Sequence, residues 1–252
     1  MKLDCVLTAV NDNDMYLDFI PIFVRTWNKL YPHVDVKIIL IAHEIPVQFQ
    51  DYEKNIILFE PVNNVFTGFT SQYIRLLYPC ILNYKNGILI TDMDILPMNK
   101  TYYTSTIFPY DNNNFIYLRD HDTCYKQIAM CYNVATPKTW SEIFEISSVE
   151  DIRSRLLTVF EDNNIDDGIN KAGWNIDQKH LYTRVLEWNK KTGNYISLKD
   201  TETGFNRLDR SNVNIRNERT RSNISQGLYN DYHCLRPMSK YEKTNNEIVD
   251  LL

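Results

Sequence analysis

Residues 87–97 read Gly87-Ile88-Leu89-Ile90-Thr91-Asp92-Met93-Asp94-Ile95-Leu96-Pro97, an apolar run that passes into two carboxylates one residue apart. A short run of this kind, bounded by a glycine and a proline, predicts a strand buried on both faces in an open α/β sheet. Alternate side chains of a strand share a face, so Asp92 and Asp94 are expected to converge on one cation at the strand's end. Their oxygens suit a hard divalent ion such as Mg²⁺ or Mn²⁺, which keeps coordination sites for water and phosphate. The chemistry implied is metal-assisted handling of a diphosphate.

The spacing alone is common. Asp12/Asp14 and Asp120/Asp122 repeat it, as expected in a chain with 32 acidic residues. Those pairs lie in polar runs, whereas Asp92/Asp94 close an apolar strand, where ligands bind in open α/β sheets. A length of 252 residues suits one α/β domain, and 44% hydrophobic residues supply a core. The net charge of −5 argues against a general nucleic-acid binder. No apolar run nears the roughly 20 residues of a membrane-spanning helix, and no secretory leader is visible. Five scattered cysteines without metal-ligand spacing read as reduced thiols, so a cytoplasmic protein with no membrane span is expected.

Residues 3–10 predict a first strand, followed by a polar turn at 11–14. Phe19, Phe23, Trp27 and Leu30 recur at helical spacing, with Asp18 as the expected cap and Pro21 in the first turn. Residues 36–42 and 55–59 are further strands. Thr70 or Ser71 is expected to cap a helix carrying Ile74, Leu77, Tyr78 and Ile81, broken near Pro79. Strands alternating with helices over the first hundred residues describe a mostly parallel sheet with crossover helices. Beyond it the pattern loosens. Strands are expected at 115–118 and 127–134, helices at 137–144, 149–160 and 176–188, and an acidic loop at 161–168. A basic loop or lid spans 207–221, and the tail after Lys240 is expected to fray.

Five segments then follow in a telling order: Ser71-Gln72-Tyr73-Ile74-Arg75-Leu76-Leu77-Tyr78-Pro79, Asp92-Met93-Asp94, Ala129-Met130-Cys131-Tyr132-Asn133-Val134-Ala135, Trp174-Asn175-Ile176-Asp177-Gln178 and Asp231-Tyr232-His233. Together they resemble the GT-A class of nucleotide-sugar glycosyltransferases, most closely the family 8-like branch containing glycogenin and bacterial lipopolysaccharide galactosyltransferases. The resemblance implies one Rossmann-like α/β domain, with a nucleotide-binding half at 1–100, a less regular acceptor-side half at 101–240 and a tail at 241–252. It implies transfer from a nucleoside-diphosphate sugar, uridine-based in this branch, to a glycan or other hydroxyl acceptor. Asp92 and Asp94 would hold Mn²⁺ or Mg²⁺, with His233 as third ligand; an imidazole tilts the choice towards Mn²⁺. Arg75 would reach Asp92 or the donor. Thr8, Ala9 and Val10 would line the nucleotide pocket, with Asp12 or Asn13 at the base, Met93 between the carboxylates and Asn133 at the sugar hydroxyls. Asp177, with Gln178 alongside, would act as general base in an inverting reaction or face an oxocarbenium-like state in a retaining one.

The chain departs from that branch near its end. His233-Cys234-Leu235-Arg236-Pro237-Met238 has neither the Gly nor the Trp of the branch's His-x-Gly-x-x-Lys-Pro-Trp element, and Arg236 stands where a lysine would clamp the diphosphate. Asn133 lacks the Ser-Gly pair that usually follows it. Specificity is expected in the loops at 108–122 and 190–221, with Arg216, Arg219 and Arg221 ordering on donor binding. Two other readings stay open here. One is a non-catalytic domain of this kind that binds a nucleotide or glycan. The other is a haloacid-dehalogenase-type phosphatase with Asp92 as nucleophile, although that motif opens its chain and has Thr or Val where Leu96 stands.

Overall fold

The computed structural model describes residues 1–120, 123–166 and 171–252, so Asp122 and the end of the acidic 161–168 segment lie outside the described residues. Strands β1 (Leu3–Asn11), β2 (Asp35–Ile41) and β3 (Ile56–Phe59) form where expected, and β4 (Gly87–Ile90) is the run that leads to Asp92. After the short β5 (Ile95–Pro97) come β6 (Phe115–Tyr117), β7 (Asn133–Ala135) and β8 (Tyr195–Ser197). All but β5 join one sheet in the order β3-β2-β1-β4-β7-β6-β8. Only β7 runs against its neighbours, so the sheet is mostly parallel as expected. Cys5, Val6 and Leu7 on β1 and Ile88, Leu89 and Ile90 on β4 are wholly buried. That explains their unbroken apolar sequence: helices cover both faces, leaving no solvent side to mark with polar residues.

Helix Ile20–Leu30 carries Pro21 in its first turn and buries Phe23, Trp27 and Leu30. Its cap is not Asp18, which sits in a preceding single turn, Leu17–Phe19. Helix Thr67–Leu77 starts one turn before the expected Thr70/Ser71 cap. Inside it the Thr70 hydroxyl donates back to the Phe66 carbonyl at 3.1 Å, a bond that competes with capping elsewhere. Thr136 and Ser148 do cap the helices Pro137–Phe144 and Val149–Asp162 through their hydroxyl oxygens. Helix Ile176–Thr192 ends on the left-handed Gly193.

Three expectations are corrected. The strand predicted at 127–134 forms only at Asn133–Ala135, because Tyr132 takes φ +77° and turns the preceding residues into a loop. The basic 207–221 segment holds strand β9 (Arg207–Asp209) and the start of helix Glu218–Ser225. The polar tail forms helix Met238–Asp250 and is anchored by buried Ile248, Val249 and Asn245. Strand β10 (Asp231–His233) joins these parts in a second, three-stranded sheet, β5-β10-β9. Among the described residues no helix is long and apolar enough to cross a membrane.

Candidate active site

At the C-terminal ends of β1 and β4 the chain opens around a cavity of about 410 Å³. This is where an open parallel sheet presents backbone and side chains to a ligand. The Thr91 N–H still bonds the Leu7 carbonyl at 3.0 Å, so β1 holds the chain up to the residue before Asp92. Asp92 to Ile95 then closes a turn, with the Ile95 N–H donating to the Asp92 carbonyl at 3.2 Å. The carboxylates are therefore offered from a turn and not from alternate positions of a strand. Both line the cavity.

Arg75 secures the first of them. Helix Thr67–Leu77 lies against β1 and brings the guanidinium, 8% exposed, onto Asp92 Oδ1 and the Thr91 carbonyl at 3.2 Å. Burial disfavours charge on Asp92, but the Arg75 guanidinium outweighs it and holds the carboxyl below its usual range. The same guanidinium stands 4.0 Å from Asp177 Oδ2, in the first turn of Ile176–Thr192. There burial wins. Asp177 is 3% exposed and is pushed up to about 7, with Arg75 and the Gln178 N–H (2.8 Å from Oδ1) pulling back only in part.

The second sheet delivers the rest. His233 pairs with Ile95 on one side and Asp209 on the other, and the Cys234 N–H continues the ladder to the Asp94 carbonyl at 2.8 Å. His233 Nε2 then lies 3.7 Å from Asp94 Oδ2, while Nδ1 meets Asp209 Oδ2 at 3.0 Å. Two guanidiniums also face Asp94 Oδ2: Arg210 Nη1 at 3.1 Å and Arg236 Nη1 at 3.4 Å. Arg236 is steadied by Tyr16, whose hydroxyl it bonds and whose ring lies 5.2 Å from its guanidinium carbon.

Of the residues singled out from the sequence, Ala9, Val10, Asn13, Arg75, Asp92, Met93, Asp94, Asp177, Gln178, His233 and Arg236 line this one cavity. Thr8, Asp12 and Asn133 do not. Thr8 is wholly buried, its hydroxyl without a partner among the described residues, and Asp12 is exposed. The buried Asn133 amide donates to the carbonyls of Ala129 (2.6 Å) and Met130 (3.2 Å), so it shapes the loop that forms the wall instead of facing the cavity. Arg216, Arg219 and Arg221 are exposed and stand apart from the wall. Arg210, Tyr16 and Asp209 were not foreseen. A signal existed for the last: Arg207-Leu208-Asp209 and Asp231-Tyr232-His233 carry complementary groups at alternate positions, as paired strands do.

Among solved structures, the galactosyltransferase LgtC in complex with donor and acceptor sugar analogues aligns over 98% of this chain and 96% of its own, with TM-score 0.52 and 11% identity. The chain has the GT-A glycosyltransferase fold. GlyE of Streptococcus pneumoniae TIGR4, a glycosyltransferase, aligns over 99% of this chain and 62% of its own, at 16% identity and TM-score 0.48. No protein-family model and no curated protein matches the chain. In the GT-A fold a divalent ion is the implied cofactor, and the donor chemistry here suits one. Two carboxylates stand one residue apart, and the imidazole has its far nitrogen fixed by a carboxylate, the arrangement that orients a histidine ligand. Among the described residues no three such groups yet close on one point; Arg210 stands between Asp94 and His233.

Proposed function

We propose that this protein is a metal-dependent glycosyltransferase that moves a sugar from a nucleoside-diphosphate donor, a UDP-sugar in this reading, to a glycan or other hydroxyl acceptor. What carries the proposal is the meeting of Arg75, Asp92, Asp94, Asp177, Gln178, His233 and Arg236, drawn from four separate stretches of chain, on one cavity at the strand ends. Asp92, Asp94 and His233 would hold Mn²⁺ or Mg²⁺, which when bound supplies positive charge to the departing diphosphate. Arg75 keeps Asp92 ionised. Arg236, fixed over Tyr16, adds a guanidinium to the same wall and suits the phosphate oxygens as a planar, permanent cation. Ala9, Val10 and Asn13 supply the neighbouring wall for the nucleoside.

Asp177 is the group for the reacting carbon. As general base its Oδ2 would take the proton of the acceptor hydroxyl; as an electrostatic partner it would face developing positive charge on the sugar. Both roles need the ionised form, and a carboxyl pushed up to about 7 gives a strong base near neutral pH. Gln178 lies beside it on the cavity wall.

The test is thermal unfolding with nucleoside diphosphates and their sugars, each with Mn²⁺, Mg²⁺ or EDTA. A ligand that binds only the folded chain raises its stability by mass action. UDP with Mn²⁺ should raise the midpoint, EDTA should abolish the rise, and Asp94→Asn should lose it while still unfolding cooperatively. A chain that responds to no nucleotide under any metal condition would refute the proposal.

A further inference from the structure

Arg210 has no role in the scheme above, yet it holds the most contested position in the site. It follows β9 directly, and its guanidinium reaches across the second sheet. Nη1 donates to Asp94 Oδ2 at 3.1 Å and to the Cys234 carbonyl at 3.3 Å, and Nη2 meets His233 Nε2. A guanidinium only donates, so Nε2 must be the acceptor in that contact. The ring proton is then on Nδ1, pointing at Asp209 Oδ2 3.0 Å away. This is the tautomer a metal needs, with the lone pair on Nε2, 3.7 Å from Asp94 Oδ2. Arg210 thus occupies the two lone pairs, one on Asp94 Oδ2 and one on His233 Nε2, that a divalent ion would take. The ion and the guanidinium cannot hold them together.

The neighbouring cation is placed differently. Arg236 also approaches Asp94 Oδ2, but Tyr16 holds it by both hydroxyl and ring, independently of His233. Arg210 is 22% exposed, lines the cavity, and outside the metal donors is held, among the described residues, only by the Cys234 carbonyl. Its way out leads into the cavity, where the proposed donor would bring two phosphates.

We propose that Arg210 is a built-in cation that the divalent ion must displace, and that on displacement it moves to the donor's diphosphate. This rests on the donor-site reading above and adds a consequence to it. Metal alone binds weakly because it competes with Arg210; metal with a nucleoside diphosphate binds strongly because the displaced guanidinium gains new phosphate partners. Arg210 is accordingly a positioning residue that couples the two ligands.

The experiment measures Mn²⁺ affinity of the full chain from the electron paramagnetic resonance signal of free Mn²⁺, with and without UDP. It compares the native protein with Arg210→Ala, Arg210→Met and Arg216→Ala. Without UDP, both Arg210 variants should bind Mn²⁺ about five-fold more tightly or better, the low end of usual site–site coupling, and Arg216→Ala should match the native protein. With UDP, the gain in Mn²⁺ affinity should shrink by at least about the same factor in the Arg210 variants. Arg210→Met keeps the apolar stem, so it answers if the alanine variant unfolds. Equal or weaker Mn²⁺ binding by folded Arg210 variants overturns the proposal, as does an absence of Mn²⁺ binding in every form. Failure of the donor-site reading shows separately: UDP would change nothing in any form while the Arg210 variants still gained Mn²⁺ affinity. That result would overturn the move to the diphosphate.

Discussion

Replacing Asp177 with asparagine should stabilise the protein at alkaline pH while removing its activity. The carboxyl goes from its ordinary 3.8 to about 7 on folding, because burial strips the carboxylate of water and Arg75 compensates only in part. The folded chain therefore holds this proton more tightly than the unfolded one. Its contribution is fully present below pH 3.8 and is lost as pH rises through about 7. A shift of about three units at about 1.4 kcal/mol each gives roughly 4 kcal/mol between the two ends of that window. That figure already includes the attraction of Arg75 for the ionised carboxylate, so Asp177→Asn should show about the whole of it as a pH-dependent difference. Denaturant unfolding of both proteins in EDTA, from pH 4 to pH 8.5, measures this as a stability difference that moves in the variant's favour as pH rises. Any fixed cost of burying the amide shifts both ends equally and cancels from the trend. A difference that stays constant with pH, or moves against the variant, would refute the reasoning.

Other substitutions probe the frame. Gly87→Ala should cost about 1–3 kcal/mol in chemical unfolding, since its Cβ would lie 2.8 Å from both Met1 Sδ and Val134 Cγ1 where β4 passes between β1 and β7. Ser148→Ala should cost about 1 kcal/mol, because the hydroxyl accepts the Asp151 N–H at 3.0 Å to cap Val149–Asp162, with no change in nucleotide response. Trp27→Ala should cost about 3–5 kcal/mol, as the indole is wholly buried between the Tyr31 and Tyr103 rings, each 5.2 Å away.

The first hundred residues were legible because their signals are local. β1 to β4 announce themselves as apolar runs, and the helix ending at Leu30 as a 3.6-residue period, so the parallel sheet and the position of Asp92/Asp94 at its edge follow directly. Boundaries failed where a side chain chose the backbone over a cap, as Thr70 does with Phe66. The loop at 129–132 was illegible for a different reason. Its apolar text suits a strand, but the Asn133 amide gathers its carbonyls and Tyr132 adopts positive φ, a conformation that periodicity does not report. The tail deceived in the opposite sense. Its polarity suggests fraying, whereas Asn245 is buried by bonding the Tyr232 hydroxyl at 2.7 Å and the Leu235 carbonyl at 2.9 Å.

That last contact bears on the site itself. β10 is three residues long, and a slip of one position would turn His233 away from Asp94 and put Tyr232 in its place. Three backbone pairings are too few to forbid such a slip, so side chains must do it. Tyr232 is locked to Asn245 of the final helix. Asp231 is locked to Arg207 at 3.1 Å and to the Tyr132 hydroxyl, an arrangement so buried that the carboxyl is pushed up to about 6 despite the guanidinium. None of these groups lines the cavity, and their cost in desolvation is hard to explain as simple stabilisation. It is explained if their work is register. The charged pair at one end of β10 and the tyrosine–asparagine bond at its centre leave one alignment, and that alignment brings His233 and Arg236 to Asp94. The placing of His233 beside the Asp92-Met93-Asp94 turn thus depends on a polar tail whose sequence gives no sign of it.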